Sequence, residues 1–259
     1  MITIKTKEEI ETMREGGHML ATVLEDVKKY TKAGMTTKDL DKYAGRLCLK
    51  YKIKPAFKGY LDFPANIITS LNDEIVHGLP STKKVIKEGD LVSLDFGVLH
   101  KGLYTDAAII FGVGEISKTK QKLIEVVNKS LFAGAKKIKD GAYLGDVSAE
   151  IQKYVENRGF SVIRCLAGHG IGKQIHEEPT IPNFGKKKTG IVLREGMVLA
   201  IEPMIAENGF ELEIAQDKWT YRTVDGGMSA HFEHTLAVTK KGYDILTQET
   251  SYKKQGTNK

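Results

Sequence analysis

The sequence predicts an α+β chain made of two structurally related halves, each placing a pair of helices ahead of its strands. Three observations predict it. Amphipathic helical stripes come in pairs in both halves, the first pair opened by capping signatures, apolar runs of strand length follow each helix pair, and short motifs recur at a constant spacing of 107 residues. Lys32-Ala33-Gly34 returns as Lys139-Asp140-Gly141, and Asp39-Leu40 as Asp146-Val147. EGDLVSLD, Glu88–Asp95, returns as EGMVLAIE, Glu195–Glu202. Each match is weak alone, but one offset that survives across more than 60 residues indicates a repeated unit.

Thr6-x-x-Glu9 is a capping box, and Ile10, Met13, Gly17, Leu20, Leu24 and Val27 behind it follow helical spacing. Thr36-x-x-Asp39 caps a second helix with Leu40, Ala44, Leu47 and Tyr51 on its inner face. The second half repeats the plan with Leu123, Val127, Leu131, Gly134 and Ile138, then Val147, Ile151 and Tyr154. Strands are expected at Ile67–Thr69, Leu91–Val98 and Tyr104–Phe111, and later at Ser161–Leu166, Val198–Ile205 and His231–Val238. No Ser/Pro/Gly-rich linker divides the halves, roughly 1–112 and 113–250. The expectation is one domain over 1–259, with the sheets joined centrally, helices on one side, and a frayed tail at 251–259.

Composition excludes several classes. No run of about 18 apolar residues is present, so a membrane span is not expected. The segment MITIKTKEEIETM lacks the shape of a signal peptide, and Cys48 and Cys165 are too few for a disulfide framework. A reducing cytoplasm is the expected compartment. The net charge of +6 comes with lysine clusters at Lys83-Lys84-Lys87, Lys136-Lys137-Lys139 and Lys186-Lys187-Lys188. No aromatic-interleaved nucleic-acid motif accompanies them, so solvated surface lysines are the favoured reading and no specific DNA contact is expected.

Acids and histidines embedded in apolar or glycine-rich surroundings carry the chemistry. LVSLDFGVLHKGLYTDAAIIFGVG, Leu91–Gly114, reads as two strands about a turn at His100-Lys101-Gly102, each strand bearing one aspartate. That symmetry predicts Asp95 and Asp106 directly opposite on one face, where like charges destabilise a sheet. Further candidates are His169 in AGHGIG, Glu202 in AIEPM and Glu233 in HFEHT. If four such carboxylates and an imidazole converge, two divalent cations would offset nearly all of their charge. Oxygen donors with one histidine suit Mn, Fe, Co or Zn. Paired ions a few ångströms apart activate water in hydrolases. Glu213, which the repeat sets equivalent to Asp106, competes with Glu233 for the last place, and the residues alone leave that choice open. Its setting in FELEIAQ favours a solvated face.

At these residues the chain resembles the type I methionine aminopeptidases, whose fold is called pita-bread. NDEIVHGLP (Asn72–Pro80), SLDFG, YTDAA, GHGIGKQIHEEP (Gly168–Pro179), IEPM and SAHFEHT (Ser229–Thr235) match that family in order and spacing. The resemblance implies two helix-helix-strand halves related by a pseudo-twofold about a central antiparallel sheet. It implies metal ligands Asp95, Asp106, His169, Glu202 and Glu233, which selects Glu233 over Glu213.

It also implies catalytic roles for His77, His176 and Glu202. A metal-bridged hydroxide would attack the first peptide bond, Glu202 would shuttle the proton, His176 would stabilise the oxyanion, and His77 would bind the substrate amide. By the same resemblance the methionine pocket would fall on Tyr60, Phe63, Ile68, Ile175 and Trp219. Ile68 and Ile175 stand where some relatives carry other residues, and His231 stands where Gln is common. The first helix begins close to the start of the sequence, and Glu233 follows Glu202 by only 31 positions, as expected of the compact bacterial form. The implied substrates are N-termini of nascent polypeptides with a small second residue. A monomer with transient ribosome contact is the implied setting.

Overall fold

A computed structural model describes residues 2–248, so the expected tail lies outside the described residues. Helices α1 (Lys7–Tyr30), α2 (Thr37–Tyr51), α3 (Lys118–Ala135) and α4 (Leu144–Glu156) form the two predicted pairs. The first half carries strands β1 (Lys54–Pro55), β2 (Ile68–Leu71), β3 (Glu74–Val76), β4 (Leu91–His100) and β5 (Leu103–Gly112). The second begins with β6 (Ser161–Val162), β7 (Ala167–Gly170), β8 (Glu177–Pro182), β9 (Val198–Ile201) and β10 (Met204–Ala206). It ends with β11 (Leu212–Ile214), β12 (Tyr221–Thr223), β13 (Ser229–His231), β14 (Glu233–Val238) and β15 (Tyr243–Ile245).

Both capping boxes form. Thr6 accepts from Glu9 N while Glu9 reaches back to Thr6 N, and Thr36 and Asp39 do the same. α3 ends earlier than its apolar stripe suggests. Its last turn tightens through Lys137 N to Gly134 O and Ile138 N to Ala135 O, three-residue bonds that end the α-helical ladder yet leave Ile138 buried.

The large sheet runs β1-β4-β5-β14-β9-β7-β8, with β2 also on β4 and β15 also on β14. The antiparallel β5–β14 pair joins the halves. Strand alternation then assigns the faces. Val92, Leu94, Phe96 and Val98 of β4 pack with Leu20, Leu24, Leu40 and Leu47 of α1 and α2. Each such fully buried side chain contributes about 1.5–3 kcal/mol. The intervening Asp95 must point to the other face, as must Asp106 and Ala108 on β5. Across the join, Leu199 and Ile201 of β9 and Leu236 and Val238 of β14 pack with Val127, Leu131, Val147 and Ile151 of α3 and α4.

Several expectations need correction. Asp95 and Asp106 are not directly opposite: the turn has two residues, Lys101-Gly102, so Asp95 faces Ala108 and Asp106 faces Gly97. The aspartates are diagonal neighbours on the same face. The expected strand over Val198–Ile205 is also broken. Pro203 lacks an N–H for the ladder, so β9 stays in the large sheet while β10 crosses into a small one, β13-β10-β6. β13 and β14 part likewise at Phe232. Glu202 and Glu233 therefore stand where two neighbouring strands leave the sheet.

Candidate metal and peptide site

One row of the large sheet, perpendicular to its strands, builds the floor of the site. Ile68 pairs with Asp95, Asp95 with Ala108, and Ala108 with Glu233. His169 enters from β7 opposite Ala200 of β9. Gly168 beside it admits close contact, because a Cβ there would lie 2.4 Å from Ala200 O and 3.2 Å from Glu202 Cγ. His169 Nδ1 lies 2.9 Å from Gly170 O; with the proton on Nδ1, Nε2 is free to face the acids. That Nε2 is 3.6 Å from Glu202 Oε1.

This gathering of charge is not balanced by protein groups. Asp95, Asp106 and Glu233 are buried, and Asp95 Oδ1, Asp106 Oδ1 and Glu233 Oε1 lack hydrogen-bond partners. Burial, reinforced by the neighbouring acids, raises Asp95 and Glu233 well above the usual carboxyl range. Burial pushes Asp106 to about 7, with Glu202's charge adding, and pushes Glu202 itself to about 8. The imidazoles cannot neutralise them, because burial holds His169 and His231 down to about 3. The His169–Glu202 contact is therefore not an ion pair at neutral pH.

Divalent cations would satisfy these orphaned oxygens. Asp106, His169 and Glu233 each offer an atom within 4.8 Å of the others, and so do Glu202, His231 and Glu233. The donor set fits divalent ions of the Mn, Fe, Co and Zn type. Glu213, by contrast, is exposed on β11, pairs with Arg222 at 2.6 Å and belongs to neither of these groups.

Above the floor lies a cavity of about 300 Å³ lined by all five of these acids and histidines (Asp95, Asp106, His169, Glu202, Glu233) and by His77, His176, Tyr60, Phe63, Ile68 and Trp219. Ile175 is not in the lining; it is 2% exposed and packs behind the wall with Phe57, Phe63 and Ile68. Trp219 meets Phe63 edge-on at 5.2 Å. Tyr60 Oη is 2.9 Å from His176 Nδ1, and the His176 ring stands 4.4 Å from that of His169. His77 has a left-handed backbone, φ 57°, in a non-glycine residue, a strained geometry typical of functional positions. Burial lowers His77 to about 4, with the charges of His231 and His176 adding, and lowers His176 as well.

Sequence reasoning missed several contributors. Phe57, Leu61, Leu166 and Thr180 line the cavity without any motif to mark them. Val76 and Met204 also line it, and both sit inside quoted motifs. Thr235, in SAHFEHT, fixes β5 to β14 by donating to Asp106 O at 2.7 Å and accepting from Asp106 N at 3.0 Å. In the sequence His231 is marked only by standing where Gln is common. It is 1% exposed, and its Nε2 lies 3.3 Å from Glu202 Oε2 with no hydrogen-bond partner of its own. Lys84, in one of the expected surface lysine clusters, binds Glu74 at 2.5 Å and approaches Thr220 Oγ1 at 3.4 Å, beside Trp219.

Buried acids with unpartnered oxygens gathered on this fold point to a metal-dependent hydrolase, and a profile described as Metallopeptidase family M24 matches residues 11–240. The methionine aminopeptidase of Clostridium acetobutylicum is 45% identical over 95% of this chain and 99% of its own length. Methionine aminopeptidase 1 of Bacillus subtilis is 45% identical over 96% and 100%. The crystal structure of methionine aminopeptidase from Thermotoga maritima superposes with a TM-score of 0.94 at 47% identity, covering 96% of this chain and all of that one (100%). The chain belongs to the M24 metallopeptidases and, within them, to the type I methionine aminopeptidases. No helix among the described residues is long and apolar enough to cross a membrane.

Proposed function

We propose that this chain removes the N-terminal methionine of nascent polypeptides whose second residue is small. The observation that carries the reading is the set of buried, unpartnered carboxylate oxygens at the foot of an aromatic-walled cavity. Asp95, Asp106, His169, Glu202 and Glu233 would hold two divalent ions, of Co, Mn, Fe or Zn. Bound there, such ions supply Lewis-acid chemistry, polarising a carbonyl and lowering the pKa of water.

The remaining steps belong to the chain's own groups. Glu202, its carboxyl raised by burial, exchanges a proton between the attacking water and the leaving amine. With Tyr60 Oη on its Nδ1, His176 directs Nε2 toward the cavity and steadies the negative oxygen that develops on the scissile carbonyl. His77 binds the substrate amide. Tyr60, Phe63, Ile68 and Trp219 take the methionine side chain, with Ile175 setting the wall from behind. A flexible thioether gains sulfur–ring contacts in such a slot. We read the setting as the cytoplasm and the working unit as a monomer, with the lysine clusters touching the ribosome in passing.

Peptide hydrolysis tests the reading. Met-Ala-Ser is cleaved only after Co, Mn, Fe or Zn is restored to chelated protein. Preferential cleavage of an X-Pro peptide, or none of Met-Ala-Ser with any metal, overturns it.

A further inference from the structure

Lys5 is an unusual residue for its position. It stands in the extended segment ahead of α1, yet its side chain is 4% exposed and its ammonium lies 2.8 Å from Glu177 Oε2, whose side chain is 6% exposed. Thr3 Oγ1 donates to the same carboxylate oxygen at 2.6 Å, and Gln174 N donates to Oε1 at 3.1 Å. Lys5 N binds Gly196 O at 2.8 Å, which fixes the strap at its root. The stem crosses Gly172 so closely that a Cβ there would fall 2.3 Å from Lys5 Cε. A buried ion pair gains little net stability over a well-packed apolar pair, so stability alone does not account for it.

What the pair holds is the segment between Gly172 and Glu177. Glu177 directly follows His176, and Ile175 precedes it with its side chain in the wall behind Phe63 and Ile68. Glu177 also opens β8, where it pairs with Gly170 beside His169. We propose that the buried Lys5–Glu177 pair is a positioning element that fixes His176 over the reacting carbonyl. Lys5 is not among the residues that line the cavity; it acts through Glu177 on the His176 backbone. The inference rests on the oxyanion role assigned above to His176.

Steady-state hydrolysis of Met-Ala-Ser by metal-loaded K5M, K5R, E177Q, H176A and K5M/H176A tests it, with thermal unfolding confirming that each variant is folded. K5M and E177Q lower kcat about tenfold with KM nearly unchanged, as a misplaced catalytic group does. K5R restores most of the loss, and K5M costs nothing further once His176 is gone. Independent, multiplicative losses in K5M/H176A, or a K5M enzyme with the kcat of the parent, overturn the positioning role alone. H176A with full activity overturns the role of His176 and the pair's function together. If K5M does not fold, E177Q and E177Q/H176A carry the same comparison.

Discussion

Asp95 on β4 and Glu233 on β14 face the same residue, Ala108, from opposite sides of β5. The smallest side chain that keeps strand geometry thus separates two carboxylates brought from different halves of the chain. Asp106 lies on the same face one pleat away, opposite Gly97. A small-residue row between the acids keeps bulky side chains out of the space where ions would sit.

Ion removal has a pH signature. Asp106 and Glu202 titrate at about 7 and about 8 in the folded chain, against ordinary values of 3.8 and 4.5. The folded state then keeps protons that the unfolded state has released, so stability falls as pH rises through that range. The buried histidines act oppositely: His169 and His231 near 3 and His77 near 4, against an ordinary 6.5, favour folding increasingly as pH rises to 6.5. Above that pH their contribution is complete and only the carboxyls titrate. Chelated protein should lose melting temperature between about pH 6.5 and 8, while the metal-reloaded form stays level. Equal slopes for the two forms would contradict the site.

Glu213 and Glu233 separate cleanly by substitution. E233Q should lose bound metal and at least about 100-fold in activity, because even groups behind a metal's ligands cost 10–100-fold when removed. E213Q, which breaks only an exposed pair with Arg222, should change stability by no more than about 0.5 kcal/mol and leave metal content intact. Elemental analysis of the purified variants decides it.

Trp219→Ala opens the aromatic wall beside Phe63. It should raise KM for methionyl peptides and reduce kcat/KM by about 10–100-fold with little change in kcat, the pattern of lost side-chain binding. A fall confined to kcat would assign Trp219 to the chemistry instead.

Gly168→Ala places a methyl 2.4 Å from Ala200 O, backbone that cannot yield cheaply. Denaturant unfolding should show a loss of about 1–3 kcal/mol. Metal affinity should fall as well, because His169 is the next residue and must move with the strand.

The sequence by itself determined what depends on near neighbours in the chain. Capping boxes at Thr6 and Thr36 and the helical stripes behind them formed as read, because capping and amphipathic periodicity are settled within a few residues. The even-numbered apolar residues of β4 likewise sent Asp95 to the opposite face. Register and convergence were decided only in three dimensions. A two-residue turn made the aspartates diagonal, and Pro203 carried the chain out of the large sheet at Glu202. The intervening strands β10 to β13 displaced Glu233 from the repeat's spacing, so Glu213 fell on the surface. Lys5 and Glu177 met because a strap crosses Gly172, which no local pattern announces. Short-range preferences are written in composition and period, whereas the meeting of distant charges depends on the summed register of every strand between them.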